Sequence, residues 1–291
     1  MKDGRDELSA VVGKIGFALT VFILTDALLA LASSGMAGQL AGGVTGLVSL
    51  ACHLFAFAAP LLVLRPCMAK TEDEHRVSGA DIARSAALYF AALPVALLLG
   101  TLFGLFLQVM GAVKSASPAL PHGQLEIAVF AVRYLVVGPA LETIIYFCVI
   151  ITSLKRFSPR LAVAVSAVFF ALCHVNFHAL PEALVMGLVF GTVYLTTRSA
   201  ALCMVLHVIH NALTIVKMLL DDSPEYFWVG VAAASALSLA ALVPQIVQRI
   251  RSGEAVHTQL DIKDFAAAFG SPGALLLISV SAIFMLVSSG V

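Results

Sequence analysis

The feature that most constrains this chain is a succession of nine apolar runs. They cover Ile15–Ser33, Leu40–Leu64, Ala86–Met110, Ile127–Leu154, Leu161–Phe177, Leu180–Thr197, Ala200–Leu220, Phe227–Val247 and Gly273–Val291. A helix that crosses the hydrocarbon core of a bilayer takes about 20 such residues. Only 12% of the 291 residues are charged and 60% are hydrophobic. Soluble domains carry about 25% charged residues, so this chain cannot cover a water-facing surface. Soluble, disordered, collagenous and disulfide-scaffold classes are excluded. The expected fold is all-α, a polytopic bundle of transmembrane helices.

The first run is too long for the core of a signal peptide, which spans about 7–15 residues. Asp3, Asp6 and Glu7 also dilute the basic residues before it, so it reads as an uncleaved first helix. Lys and Arg concentrate in alternate connections: before the first run, at Arg65–Arg84, at Lys155–Arg160, at Arg198, and at Arg249–Lys263. The opposite connections offer little beyond Lys114 and Lys217. By the positive-inside bias this predicts a cytoplasmic N-terminus. The longest late connection, Gln248–Ser271, divides the chain into a core (1–247), a cytoplasmic connection (248–271) and an added helix (272–291). That gives about eight core helices plus one. Gly187 and Gly191 in the sixth run form a GxxxG pattern that lets two backbones approach.

The 17 basic residues balance the 17 acidic ones, so no basic field suggests nucleic acid. The five cysteines are scattered and form no CxxC pair, which supports neither a zinc ribbon nor a disulfide framework.

Ionisable residues within membrane spans are rare and usually functional, because a central charge costs roughly 2.5–3.5 kcal/mol on insertion scales. Glu142 lies in the middle of the fourth run, just after Gly138 and Pro139. The proline removes one backbone donor and frees an earlier carbonyl. His174 lies near the end of the fifth run with His178 just past it, and His207, His210 and Asn211 lie in the seventh. Residues four apart share a helix face, so His174 pairs with His178 and His207 with Asn211. Asp26 and His53 read as weaker candidates, each either a hydrogen-bond partner between helices or part of a proton relay. Arg133 lies on the face opposite Glu142 and is not expected to pair with it.

A carboxylate, two imidazoles and a neutral amide around one cavity suit hydrolysis of an amide bond. The carboxylate can act as general base, imidazoles can exchange protons near neutral pH, and an amide can donate to an oxyanion. No Gly-x-Ser-x-Gly, Walker loop or His-Glu-x-x-His is present.

These residues resemble the CPBP (Abi) superfamily of intramembrane proteases, which includes the eukaryotic CaaX prenyl endopeptidases. The family motif Pro-x-x-Glu-Glu-x-x-x-Arg reads here as Pro139 to Phe147, with Glu142 in place. Phe-x-x-x-His matches Phe170 and His174, and His-x-x-x-Asn matches His207 and Asn211. The resemblance covers about 132–213. It implies an eight-helix core and a metal-independent endopeptidase, with Glu142 activating water and His174 positioning it. His207 and Asn211 would then stabilise the oxyanion. Thr143 stands where the second Glu would be and Phe147 where the Arg would be, so any supporting acid or charge-pairing role is lost there.

The expectation is therefore an integral membrane endopeptidase, without cofactor or metal, in a bacterial inner membrane. It would act on membrane-associated or lipidated peptides, in contact with membrane lipids and without nucleic acid. One alternative is a metalloprotease using Glu142, His174, His207 and His178 or His210. Another is a non-catalytic scaffold, immunity factor or transporter.

Overall fold

The computed structural model describes residues 2–36, 42–68, 76–112, 123–220, 223–251 and 261–289. Ten helices follow one another and, among the described residues, no strand occurs. They are α1 (Lys2–Met36), α2 (Gly42–Met68), α3 (Gly79–Val109), α4 (Gln124–Leu154) and α5 (Pro159–Cys173). Then come α6 (Leu180–Thr197), α7 (Ala200–Leu219), α8 (Pro224–Arg251), α9 (Ile262–Phe269) and α10 (Pro272–Ser289). Eight of them are long and apolar enough to cross a membrane. The chain is an integral, multi-pass membrane protein of the expected all-α class.

The start signals are local. Ser78 and Asp81 form a reciprocal capping box at α3, and the hydroxyls of Ser158 and Ser199 accept the backbone N–H groups of Leu161 and Leu202. Proline begins α5 and α6 near their first turns, where a missing N–H costs nothing. Large apolar side chains such as Leu31, Leu62 and Val109 stay on the outside of the bundle, where lipid is their solvent.

Two expectations change. The predicted fifth span, 161–177, ends early: α5 has 15 residues and stops at Cys173. At a rise of about 1.5 Å per residue it is roughly 22 Å long, short of the roughly 30 Å hydrocarbon core. It forms an antiparallel hairpin with α6. Gly187 lies against Ala167 and Gly191 against Val163, each so close that an added Cβ would meet them at about 3 Å. The hairpin starts and ends on one side, so the alternation of basic connections survives its failure to span. The second change is at the late connection: α8 runs on to Arg251, and 262–269 forms the short helix α9. Residues 252–260, Lys70, Lys114, Asp221 and Asp222 lie outside the described residues.

The basic connections meet on one face of the bundle. Arg156 pairs with Glu7, and Arg5 pairs with Asp261 and Asp264 at 2.7 and 2.9 Å. Asp261 also accepts the backbone N–H of Lys263, and this bond together with Arg5 holds its carboxyl below the usual carboxylate range. On that tether α9 lies along α1, and α10 packs against α1 through Gly13, Gly16 and Gly273. Beyond, α1 pairs with α2, while α3 packs between α8 and α6. The central helix α4 touches α2, α5, α6 and α7, which puts its midpoint inside the bundle.

Candidate functional site

The site begins with a defect in α4. Val132–Val137 and Thr143–Ile150 are π-helical, and Gly138 donates to Arg133 O, five residues back. The cause is Pro139. Its ring clashes with the carbonyl four residues earlier, and it has no N–H to give. In the widened register that missing donor belonged to Tyr134. Asn211 of α7 supplies the replacement: its Nδ2 donates to Tyr134 O at 2.8 Å. The proline thus couples the first motif to the third through one hydrogen bond. Single π turns inside α-helices are frequent at functional sites, because they re-aim the side chains that follow.

Glu142 follows immediately. Its Oε2 lies 3.2 Å from His207 Nε2. His207 is 2% exposed, and its ring stacks on Phe190 with centroids 4.9 Å apart, with Phe170 and Phe147 edge-on at 5.6 and 6.4 Å. Its Nδ1 lies 3.4 Å from Thr143 Oγ1. A carboxylate accepts, so Nε2 carries the proton toward Glu142, and Nδ1 of the neutral ring accepts from the threonine hydroxyl. The two positions that depart from the family motif therefore both face His207. Thr143 touches it through its hydroxyl, and Phe147 packs beside it among Phe170 and Phe190. The sequence reading gave Thr143 no acid or proton-transfer role. The hydroxyl contact was invisible because it depends on α7.

His174 sits just past the end of α5, not on a continuing helix. Its Nδ1 is 2.8 Å from Phe170 O, so Nδ1 is the protonated nitrogen and Nε2 presents a lone pair. Val175 then takes a left-handed backbone with φ 50°. That is a strained conformation for a β-branched residue, worth about 1–3 kcal/mol, and it sits on the cavity wall. The expected shared helical face of His174 and His178 does not exist. His178 lies in the loop that joins the hairpin, its backbone N–H bonded to Asn176 Oδ1 and its ring beside Gly104 of α3.

Two cavities share Phe170 and His174 as a wall. One, of about 160 Å³, is lined by Glu142, Tyr146, Cys173 and His174, and on its far side by Asp26 and His53. The other, of about 140 Å³, is lined by His174, His207, His210, Asn211, Glu182 and Tyr134. The Glu142–His207 contact joins them. The four sequence-predicted site residues are thus brought together, Glu142 and His174 on one side, His207 and Asn211 on the other. Asp26 and His53, ranked low from sequence, line the first cavity and bond to each other at 3.0 Å. Glu182 was missed. It lies 3.7 Å from His210, whose other nitrogen is 3.3 Å from Tyr89 OH. An acidic residue in an apolar run was the signal available. Arg133 bonds Ser49 at 2.8 Å and, as expected, is not paired with Glu142. Among the described residues no three His, Cys, Asp or Glu side chains converge with metal-ligand spacing.

Comparison with known proteins adds one match. Residues 124–213 match the family model described as type II CAAX prenyl endopeptidase Rce1-like. No curated protein and no solved structure matches the chain. The matched segment is α4 to α7, the four helices that supply Glu142, His174, His207 and Asn211. Over that segment the chain is similar to the CPBP/CAAX protease family.

Proposed function

We propose that the chain is an intramembrane endopeptidase in which Glu142 activates water to cleave membrane-associated or lipidated peptides. The observation that carries this reading is the pairing of Glu142 with His207 at 3.2 Å beside a cavity that also holds His174. Water between Glu142 and His174 Nε2 meets two acceptors. It donates one proton to each and turns its oxygen lone pair toward the scissile carbonyl. Glu142 takes the proton as the oxygen attacks. Its charge then falls, its hold on the His207 N–H weakens, and that N–H becomes available to the oxyanion. Asn211 keeps its second N–H for the same purpose, the first being held by Tyr134. Preorganised donors of this kind are worth about 10²–10³-fold in rate.

The family match to prenyl endopeptidases supports a lipidated peptide as the first probe. The basic face of the bundle supports an orientation with the N-terminus in the cytoplasm; a bacterial inner membrane is the proposed location. The test is peptide-product mass spectrometry of cells with wild type against Glu142→Gln, together with cleavage of a quenched farnesylated CaaX-type peptide by the purified protein. General-base loss lowers cleavage by at least about 10²-fold. Full cleavage by a folded Glu142→Gln protein would remove this mechanism. Loss of cleavage on chelation that zinc restores would support the metal-dependent alternative.

A further inference from the structure

The cavity beside Glu142 has a second polar wall, built from α1 and α2, outside the segment that matches the family. His53 Nδ1 lies 3.0 Å from Asp26 Oδ1. Its ring is held edge-on by Phe22 and Phe57, with centroids at 6.2 and 4.9 Å. Asp26 occupies Nδ1, so the nitrogen left to exchange a proton is Nε2. The titratable groups on this cavity are Asp26, His53, Glu142, Tyr146, Cys173 and His174. Phenols and thiols hold their protons to about pH 10 and 8.5, which makes them weak acids at neutral pH. His174 donates its Nδ1–H to Phe170 O and offers the cavity the lone pair of Nε2. His207 points its proton at Glu142.

Cleavage of an amide needs a proton on the departing nitrogen. From this arrangement we infer that His53, oriented by Asp26, is the general acid of the reaction proposed above. The inference rests on that reading. A carboxylate on Nδ1 fixes the tautomer and stabilises an imidazolium that keeps its Nε2–H for exchange, the role a buried aspartate plays for a catalytic histidine elsewhere. In the step, Glu142 takes one proton from water and the hydroxide oxygen bonds the carbonyl carbon. The imidazolium of His53 gives its Nε2 proton to the amide nitrogen, and the C–N bond breaks with its electron pair going to nitrogen. The new carboxylic acid loses its proton to the free amine. Glu142 passes the water's proton to His53, which restores both groups. Asp26 is a positioning residue in this scheme, and Glu142 need not carry the proton to the amine itself.

The test uses two probes on the full-length purified protein: the quenched farnesylated peptide, and an aryl ester of the same acyl part whose phenolate leaves without a proton. His53→Gln should lower amide cleavage about 10²-fold, the lower end for loss of a general acid, and leave ester cleavage within a few-fold of wild type. Asp26→Asn removes the carboxylate that orients His53, so it too should lower amide cleavage while ester cleavage stays within a few-fold of wild type. Equal losses on both probes, or no loss on either, would overturn the inference. Glu142→Gln should abolish both, and its failure to do so would count against the base and not the acid. A substrate-free readout decides the matter if neither probe is cut. Histidine-selective NMR in micelles should show the His53 ring-nitrogen signals shifting after either Glu142→Gln or Asp26→Asn. His53 ring signals indifferent to Glu142→Gln would show that the two groups do not exchange a proton across the cavity and end the proposal.

Discussion

Thr143 is the position where the structure adds a contact that the sequence did not show, so its removal is an informative substitution. Thr143→Val keeps shape and β-branching and deletes only the hydroxyl that faces His207 Nδ1 at 3.4 Å in a fully buried setting. A net hydrogen bond of this kind contributes about 0.5–1.5 kcal/mol. At 1.36 kcal/mol per tenfold, that is a loss of about 2- to 10-fold in kcat/KM. The loss arises through His207. Without a donor at Nδ1 the ring can take the other tautomer, which turns a lone pair on Nε2 toward the Glu142 carboxylate. The assay is cleavage kinetics on a farnesylated probe, paired with NMR of the His207 ring nitrogens. Thr143→Ser should recover both rate and tautomer. If Thr143→Val matches wild type in rate and in the His207 tautomer, the reasoning from this hydroxyl is wrong.

Asn211→Leu leaves Tyr134 O without a donor, because Pro139 cannot supply one; a buried orphan of this kind costs about 1–3 kcal/mol, readable as a lower Tm alongside the lost activity. An unchanged Tm would show that the tether contributes nothing. Gly273→Val places a side chain against the backbone of Gly13 and should destabilise by about 1–3 kcal/mol as α10 is pushed off α1, measured by thermal unfolding in detergent. Single cysteines at Val77 and Ser158 should react with an impermeant thiol reagent from the cytoplasmic side and one at Gly123 from the other; the reverse pattern would invert the orientation.

Much of the fold was legible because a membrane simplifies the code. Backbone groups in hydrocarbon must be satisfied within the segment, so an apolar run of sufficient length can only be a helix. The errors fell where that code is silent. Counting apolar residues could not see α5 stop at Cys173, since Val175 and Asn176 are as compatible with a continuing span as with a turn. The turn is set by a left-handed Val175, whose backbone carries no hydropathy signal, and by the Asn176 side chain. The parity of the basic connections held anyway, because what shortened was one arm of a hairpin.

The site divides along the same line. Glu142, His174, His207 and Asn211 could be read because each is costly in hydrocarbon and sits at a motif spacing. What joins them could not be read from 3.6-residue periodicity, because α4 leaves that period on both sides of Glu142. Pro139 opens the register and strands the Tyr134 carbonyl, and Asn211 then closes the gap from α7. One residue therefore determines both where Glu142 points and why the third motif must end in an amide. An apolar residue at 211 could fill the volume yet leave the carbonyl bare. A carboxylate would face it with a second acceptor. An amide is the side chain that satisfies Tyr134 with one N–H and still has another to offer the cavity.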